Sequence, residues 1–121
     1  MTFPDAEALV LSFLAGRVDV PVHTSVPADR PTAFVLLWRN GGASSNRVVD
    51  QPQITVEAWS KDSVEASNLA ERCRSALLNE ASTIPNVSRA TEISGPYSTT
   101  DETTKTPRYR FTMQLTVRAL R

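Results

Sequence analysis

Few residues in this sequence have the chemistry that catalysis or metal binding requires. The chain of 121 residues contains one histidine, His23, and one cysteine, Cys73. Cys73 falls at the helical spacing of an apolar face, where a cysteine is usually a small buried hydrophobe rather than a nucleophile. Because catalysis needs a nucleophile or base with an orienting partner, we predict no catalytic residue. A single cysteine excludes a disulfide within the chain, and one cysteine with one histidine supplies too few ligands for a zinc site. We therefore expect no metal and no cofactor.

Two short motifs resemble ligand sites, but both favour ordinary turns. Asp101 and Glu102 form the only adjacent acidic pair, and they lie in a threonine-rich stretch at 99–106. That composition predicts a solvated loop, with a metal site as the less favoured alternative. Gly41 and Gly42 lack the spacing and the following lysine of a phosphate-binding loop, and therefore predict a turn.

Charge and hydropathy argue against several classes of function. Thirteen Lys and Arg residues balance thirteen Asp and Glu residues, so no net field draws the chain to nucleic acid or to an anionic membrane. The longest apolar runs, 8–11 and 33–38, are far shorter than the roughly 20 residues of a membrane helix. The N-terminus has no basic residue before Arg17, which predicts no secretory signal and a protein that stays in the cytoplasm where it is made. The length predicts a single domain over residues 1–121.

Eight prolines divide the chain into segments with different hydrophobic periods. Helical spacing predicts a first helix over about 4–15, which begins with Thr2 as a cap and ends at a left-handed Gly16. It predicts a second helix over 63–80, with Asp62 as its cap and Glu65 in its first turn. Alternation and turn residues predict strands over 20–25, 33–39, 53–60, 87–94 and 108–120. The order α-β-β-β-α-β-β predicts an α+β domain with a mostly antiparallel sheet of about five strands. Antiparallel hairpins should join the first strand to the second, the second to the third and the fourth to the fifth, with both helices packed on one face.

The predicted sheet carries large apolar side chains on both of its faces. The unexpected ones are Phe34, Leu36 and Trp38 on the second strand, with Trp59 on the third. A sheet face that no helix covers normally alternates to polar residues. Two interpretations remain open: the patch is a contact with another subunit, or the loops at 40–52 and 97–107 fold over it within the monomer.

Arginine supplies eleven of the thirteen cations, and arginine is the cation that protein interfaces favour. Arg108, Arg110 and Arg118 share one face of the last strand, and no aromatic residue lies with them to stack on bases. This pattern favours salt bridges to another subunit. The interface that these patterns predict consists of Phe34, Leu36, Trp38, Trp59, Arg108, Arg110 and Arg118.

Several motifs occur in an order that extends over nearly the whole chain. They are a short N-terminal helix, the proline-bounded turn at 26–31, a hydrophobic strand ending in the Trp-Arg-Asn-Gly-Gly sequence at 38–42, the strand from Pro52 to Trp59 that leads into an alanine-rich helix, and the closing strand that starts at 107–111. This order resembles the tail terminator proteins of bacteriophages with long, non-contractile tails.

The resemblance implies a structural virion protein rather than an enzyme. It implies a six-fold ring of this chain on the end of the tail tube, which stops tube polymerisation and presents a surface to the head connector. The implied partners are copies of the chain itself, the major tail tube protein and head-tail connector proteins, with DNA only passing through the lumen and no membrane. Ring contacts would come from sheet edges and from the segments 39–50 and 97–107. This implication adds Arg39, Arg47 and Asp50 to the predicted subunit or tail-tube interface. The alternatives are a head completion or connector protein of the phage neck and a small ferredoxin-like ligand-binding module.

Overall fold

The computed structural model describes residues 2–100 and 103–121, so the acidic pair Asp101 and Glu102 lies outside the described residues. The elements within those ranges are α1 (Ala6–Ala15), β1 (Val22–His23), β2 (Phe34–Arg39), β3 (Val49–Asp50), β4 (Gln53–Trp59), α2 (Ser63–Glu80), a 3-10 turn (Ala81–Thr83), β5 (Val87–Ser98) and β6 (Arg108–Arg118). Two helices accompany one mostly antiparallel sheet. The fold is therefore α+β, as the sequence pattern predicts.

The sheet is built around β6. Strands β3 and β4 pair with one edge of β6 and β5 with the other, while β2 pairs with β4, all of them antiparallel. Strand β1 pairs with β2 in parallel, so the antiparallel hairpin predicted for the first two strands is wrong. The connection at 24–33, which Pro27 and Pro31 stiffen, carries the chain back past β1 before β2 begins, so both strands run in the same direction.

Strands β3 and β4 form one interrupted strand. Both keep the same register against β6, with Asp50 opposite Val117 and Gln53 opposite Gln114. The interruption falls at Pro52, which has no N–H to donate but whose carbonyl still accepts a hydrogen bond of 2.9 Å from Leu115. The segment predicted as a loop over 40–51 therefore ends in sheet structure, and the sheet has five strand positions.

Both helices begin at an acidic cap. The Asp5 carboxylate accepts a hydrogen bond of 3.2 Å from the Ala8 N–H, so Asp5, and not Thr2, caps α1. Asp62 caps α2 in the same way, as its position before an acidic first turn predicts. Gly16 follows α1 with a φ of −86°, which is right-handed, so the predicted left-handed terminus is wrong. Bonds from the Gly16 and Arg17 N–H groups close the last turn instead.

The two helices pack on one face of the sheet and bury the main core there. Its buried members include Val10, Phe13 and Leu14 of α1, Leu69, Cys73 and Leu77 of α2, and Val35, Leu37, Ile54, Val56, Phe111, Met113 and Leu115 of the sheet. The predicted apolar face of α2 and the predicted inward face of β6 are both confirmed. The alternating residues of the same strands point to the opposite side.

Candidate functional site

The side of the sheet opposite the two helices brings most of the predicted interface residues together. We call it the helix-free face and define it by the outward residues of three adjacent strands. They are Phe34, Leu36 and Trp38 of β2, Thr55, Glu57 and Trp59 of β4, and Arg108, Arg110 and Thr112 of β6. The register places Leu36, Glu57 and Arg110 in one row across the strands. Phe34, Trp59 and Arg108 form the next row.

The aromatic part of this face is packed within the subunit. The rings of Phe34 and Trp59 stack with their centroids 5.0 Å apart, and His23 meets Phe34 edge-on at 6.2 Å. Phe34 is 1% exposed, Leu36 8% and Trp59 4%. The interpretation in which the monomer covers its own patch therefore holds for these three residues. Trp38 packs against them but is only half-buried.

Arginine side chains provide much of this cover. The guanidinium carbons of Arg108 and Arg30 lie 4.9 and 5.4 Å from the centroid of the Trp59 ring, and that of Arg110 lies 5.4 Å from the Trp38 ring. These are the distances of cation–π contacts, and the arginine stems also exclude water from the rings. Residues 104–107, part of the predicted covering loop, line a cavity of about 350 Å³ together with Phe34 and Trp59.

Glu57 lies at the centre of the helix-free face and is 2% exposed. Its Oε2 accepts hydrogen bonds from Nε and Nη2 of Arg110, at 3.0 and 2.7 Å. Its Oε1 accepts a hydrogen bond of 2.8 Å from the indole N–H of Trp59, and Nη1 of Arg108 lies 3.9 Å from the same oxygen. A carboxylate this buried is tolerated only when it is paired and hydrogen-bonded. Glu57 therefore ties the aromatic and the arginine parts of the face into one cluster.

This pairing changes the interpretation of the two arginines. Burial alone would lower the pKa of the Arg110 guanidinium, but the hydrogen bonds and charge of Glu57, with a contribution from Tyr97, outweigh burial and raise that pKa. Arg108 and Arg110 thus meet an acid of their own subunit, whereas the sequence pattern favoured salt bridges to another. Sequence reasoning missed Glu57, although it is the one charged residue of β4.

Arg39 and Asp50 form a second pair, next to the helix-free face. Nη1 of Arg39 lies 3.3 Å from Oδ2 of the buried Asp50. Arg39 also donates to the carbonyl oxygens of Gly41 and Gly42, at 3.0 and 2.9 Å. This one side chain therefore holds the turn that follows β2 against β3. The structure brings these two predicted interface residues together, but inside the subunit.

The last two predicted interface residues lie apart from both groups. Arg118 is at the end of β6, opposite Val49 of β3, and Arg47 lies in the segment just before β3. Both side chains are exposed. The predicted interface thus divides into the cluster around Glu57, the Arg39–Asp50 pair, and two exposed arginines.

The described residues contain no group of three or more His, Cys, Asp or Glu side chains that could hold a metal ion. Over the same ranges, neither helix is long and apolar enough to cross a membrane.

Comparison with known proteins bears on the whole chain. A search of curated proteins gave no match. A family model described as phage tail termination protein matches residues 2–121. That range includes both helices, all strands of the sheet and every residue of the helix-free face. The chain therefore belongs to the phage tail termination protein family.

Proposed function

We propose that this chain is a tail terminator, which forms a six-fold ring on the end of the phage tail tube, stops tube polymerisation and provides the surface that joins the tail to the head connector. The observation that carries the proposal is the family match over residues 2–121. The role of that family is structural and places the chain in the virion tail. The partners are further copies of the chain, the major tail tube protein and head-tail connector proteins. DNA passes through the ring without sequence-specific contact.

The helix-free face suits one side of a ring contact. A closed ring needs a heterologous interface, in which one patch of a subunit meets a different patch of its neighbour. Trp38 is half-buried beside Arg110, and Tyr97, which lies opposite Arg110 on the neighbouring strand β5, is 46% exposed. Tryptophan, tyrosine and arginine are the residue types that most often dominate binding energy.

The cluster around Glu57 also prepares this surface for binding. Because Glu57 holds Arg110 through two hydrogen bonds, the guanidinium over Trp38 is fixed before any partner arrives. Side chains that are already ordered lose little conformational entropy on association. The face therefore presents a preformed aromatic and cationic surface.

The function is tested with the tail tube protein that this chain accompanies. Tube protein is polymerised with and without the chain, and tube lengths and tube ends are measured by electron microscopy. We expect shorter tubes whose ends carry a ring when the chain is present. Tubes of equal length under both conditions would contradict the terminator function.

The same pairing limits which variants can test the interface. Arg110→Glu would place a second carboxylate against the buried Glu57, so loss of assembly could reflect an unstable subunit. Trp38→Ala removes a half-buried ring without unpairing a buried charge. It is therefore the informative change at this face.

A further inference from the structure

Most arginines of the chain are engaged within the subunit. The engaged pairs are Arg17 with Glu80, Arg39 with Asp50, Arg72 with Asp19, Arg74 with Glu71 and Glu92, and Arg108 and Arg110 with Glu57, while Arg30 lies over Trp59. The four others are Arg47, Arg89, Arg118 and Arg121. None of their side chains makes a hydrogen bond or ion pair with any residue that the structure describes, and all four are exposed.

These four arginines lie at the same end of the sheet, where β6 finishes. Arg118 is opposite Val49, and Arg89 is opposite Thr116, two residues earlier on β6 and hence on the same sheet face as Arg118. Arg121 comes three residues after Arg118, the last residue of β6. Arg47 precedes Val48, whose carbonyl accepts a hydrogen bond of 2.8 Å from the Ala119 N–H. We call the four residues the arginine end.

An apolar groove of about 420 Å³ opens at the arginine end. Its lining consists of Val48, Val49 and Ala119 together with Arg118 and Arg121. Val48 is 38% exposed, and the neighbouring Leu120 is 42% exposed. The described lining of the groove contains no acidic residue. The groove therefore combines apolar walls with two cations that have no partner among the residues that the structure describes.

We propose that the arginine end is a docking site for an acidic segment of a partner protein that also carries an apolar side chain. Carboxylates of the segment pair with Arg118 and Arg121, since a guanidinium binds a carboxylate through parallel N–H donors. The apolar side chain enters the groove against Val48 and Val49. The inference deepens the proposed function and rests on it for the source of the segment, which is one of the protein neighbours of the ring.

The lining favours a protein partner over nucleic acid. DNA phosphates would match the arginines but would leave the apolar groove without a complement. None of the five lining residues is aromatic, so the groove offers no ring on which a base could stack. The chain also has no net charge to attract a polyanion over distance. An apolar patch flanked by arginine is, in contrast, a common composition of protein interfaces.

The test uses the full chain and two labelled probes, followed by fluorescence anisotropy. One probe is an acetylated peptide, Glu-Asp-Val-Leu-Asp-Glu, and the other is a mixed-sequence DNA duplex. We expect the peptide to bind more tightly than the duplex. Its affinity should fall as the salt concentration rises from about 0.05 to about 0.3 M. Arg118→Glu with Arg121→Glu should weaken peptide binding at least about tenfold, because two charge-assisted contacts become repulsive. Val48→Asp should also weaken it.

The charge-matched control is Arg17→Glu with Arg72→Glu, which changes the net charge equally at arginines far along the chain from the groove. It should leave peptide binding within about twofold, a difference of only about 0.4 kcal/mol. Equal loss in this control, tighter binding of the duplex, or absence of peptide binding would each overturn the proposal. If the double variant at the arginine end fails to fold, Val48→Asp decides the question. The assay uses the free chain and is therefore independent of the tube-length assay. If the chain stops tube growth but does not bind the peptide, the terminator function stands and the docking site is disproved.

Discussion

At the scale of single residues, the burial of Cys73 predicts how the free energy of unfolding depends on pH. Cys73 lies on the core-facing side of α2. This burial raises the pKa of its thiol from 9.0 to about 12, and the nearby Arg72 opposes the shift. The folded chain therefore holds the thiol proton more tightly than the unfolded chain does. The stabilisation is complete below about pH 9 and is lost as pH rises from 9 towards 12, by at most about 1.4 kcal/mol per pH unit.

Urea unfolding of the wild type and of Cys73→Ala at about pH 8, 9.5 and 10.5 measures this effect. The free energy of unfolding should fall with pH more steeply in the wild type than in the variant, which lacks the thiol and so controls for the other groups that titrate there. Identical pH dependence in the two proteins would show that the thiol is not buried as described.

Glu57 leads to a second prediction at this scale. Glu57→Gln removes the charge that pairs with Arg110 while an amide oxygen can still accept from Trp59. We expect a loss of about 1–3 kcal/mol in the free energy of unfolding, because Arg110 is left partly buried without its counter-charge. Glu71→Gln is the control, since Glu71 pairs with Arg74 on an exposed surface and should cost less than about 1 kcal/mol. Chemical denaturation compares the two, and equal losses would contradict the central role of Glu57.

At the scale of elements, α2 allows a test with adjacent leucines. Leu77 is 0% exposed in the core, whereas Leu78 is 39% exposed on the next helical position. Leu77→Ala should lower the free energy of unfolding by about 2–5 kcal/mol, because it leaves a cavity in a packed core. Leu78→Ala should change it by about 0.5 kcal/mol or less. A smaller loss in the free energy of unfolding for Leu77→Ala than for Leu78→Ala would show that α2 packs on the sheet with its opposite face.

The turn after β2 provides another pair of neighbouring positions. Gly41 and Gly42 both have positive φ, +103° and +89°, so alanine at either position is strained by about 1–3 kcal/mol. A Cβ on Gly41 would meet open space, but one on Gly42 would lie 2.2 Å from the Gln51 carbonyl oxygen. Gly42→Ala should therefore lower the melting temperature clearly more than Gly41→Ala does. Equal shifts in thermal denaturation would show that the turn does not press against Gln51.

At the scale of the whole molecule, Trp38 is the residue on which assembly should depend. Trp38→Ala is expected to weaken each ring contact by about 1–2 kcal/mol, as loss of an interface aromatic does, while the subunit remains folded. Tube length measured by electron microscopy, together with the circular dichroism of the free chain, separates these two effects. Val64→Ala is the control, because Val64 is 68% exposed on α2. Normal tube length with Trp38→Ala would show that the helix-free face is not part of the ring contact.

The features that the sequence determined by itself depend on neighbouring residues. Period and capping residues place α2 over 63–80, where the structure has it, and strict alternation along 108–118 separates the core side of β6 from its arginine side. The same alternation in 33–39 predicted two apolar faces, and the structure contains two separate clusters. The side-chain pattern of a helix or strand repeats every few residues, so a short stretch of sequence is enough to identify it.

What the tertiary structure alone decided is which distant residues meet. Glu57 and Arg110 are 53 positions apart, and no local pattern indicates that the register of β4 on β6 places them in one row. The same pairing showed that the arginines of the helix-free face cover it within the subunit. Over residues 2–100 and 103–121, it is the arginine end whose cations have no partner. The parallel direction of β1 was likewise invisible, because it depends on the path of the connection at 24–33. Strand register and loop path are set by the packing of the whole sheet, and a sequence period contains neither.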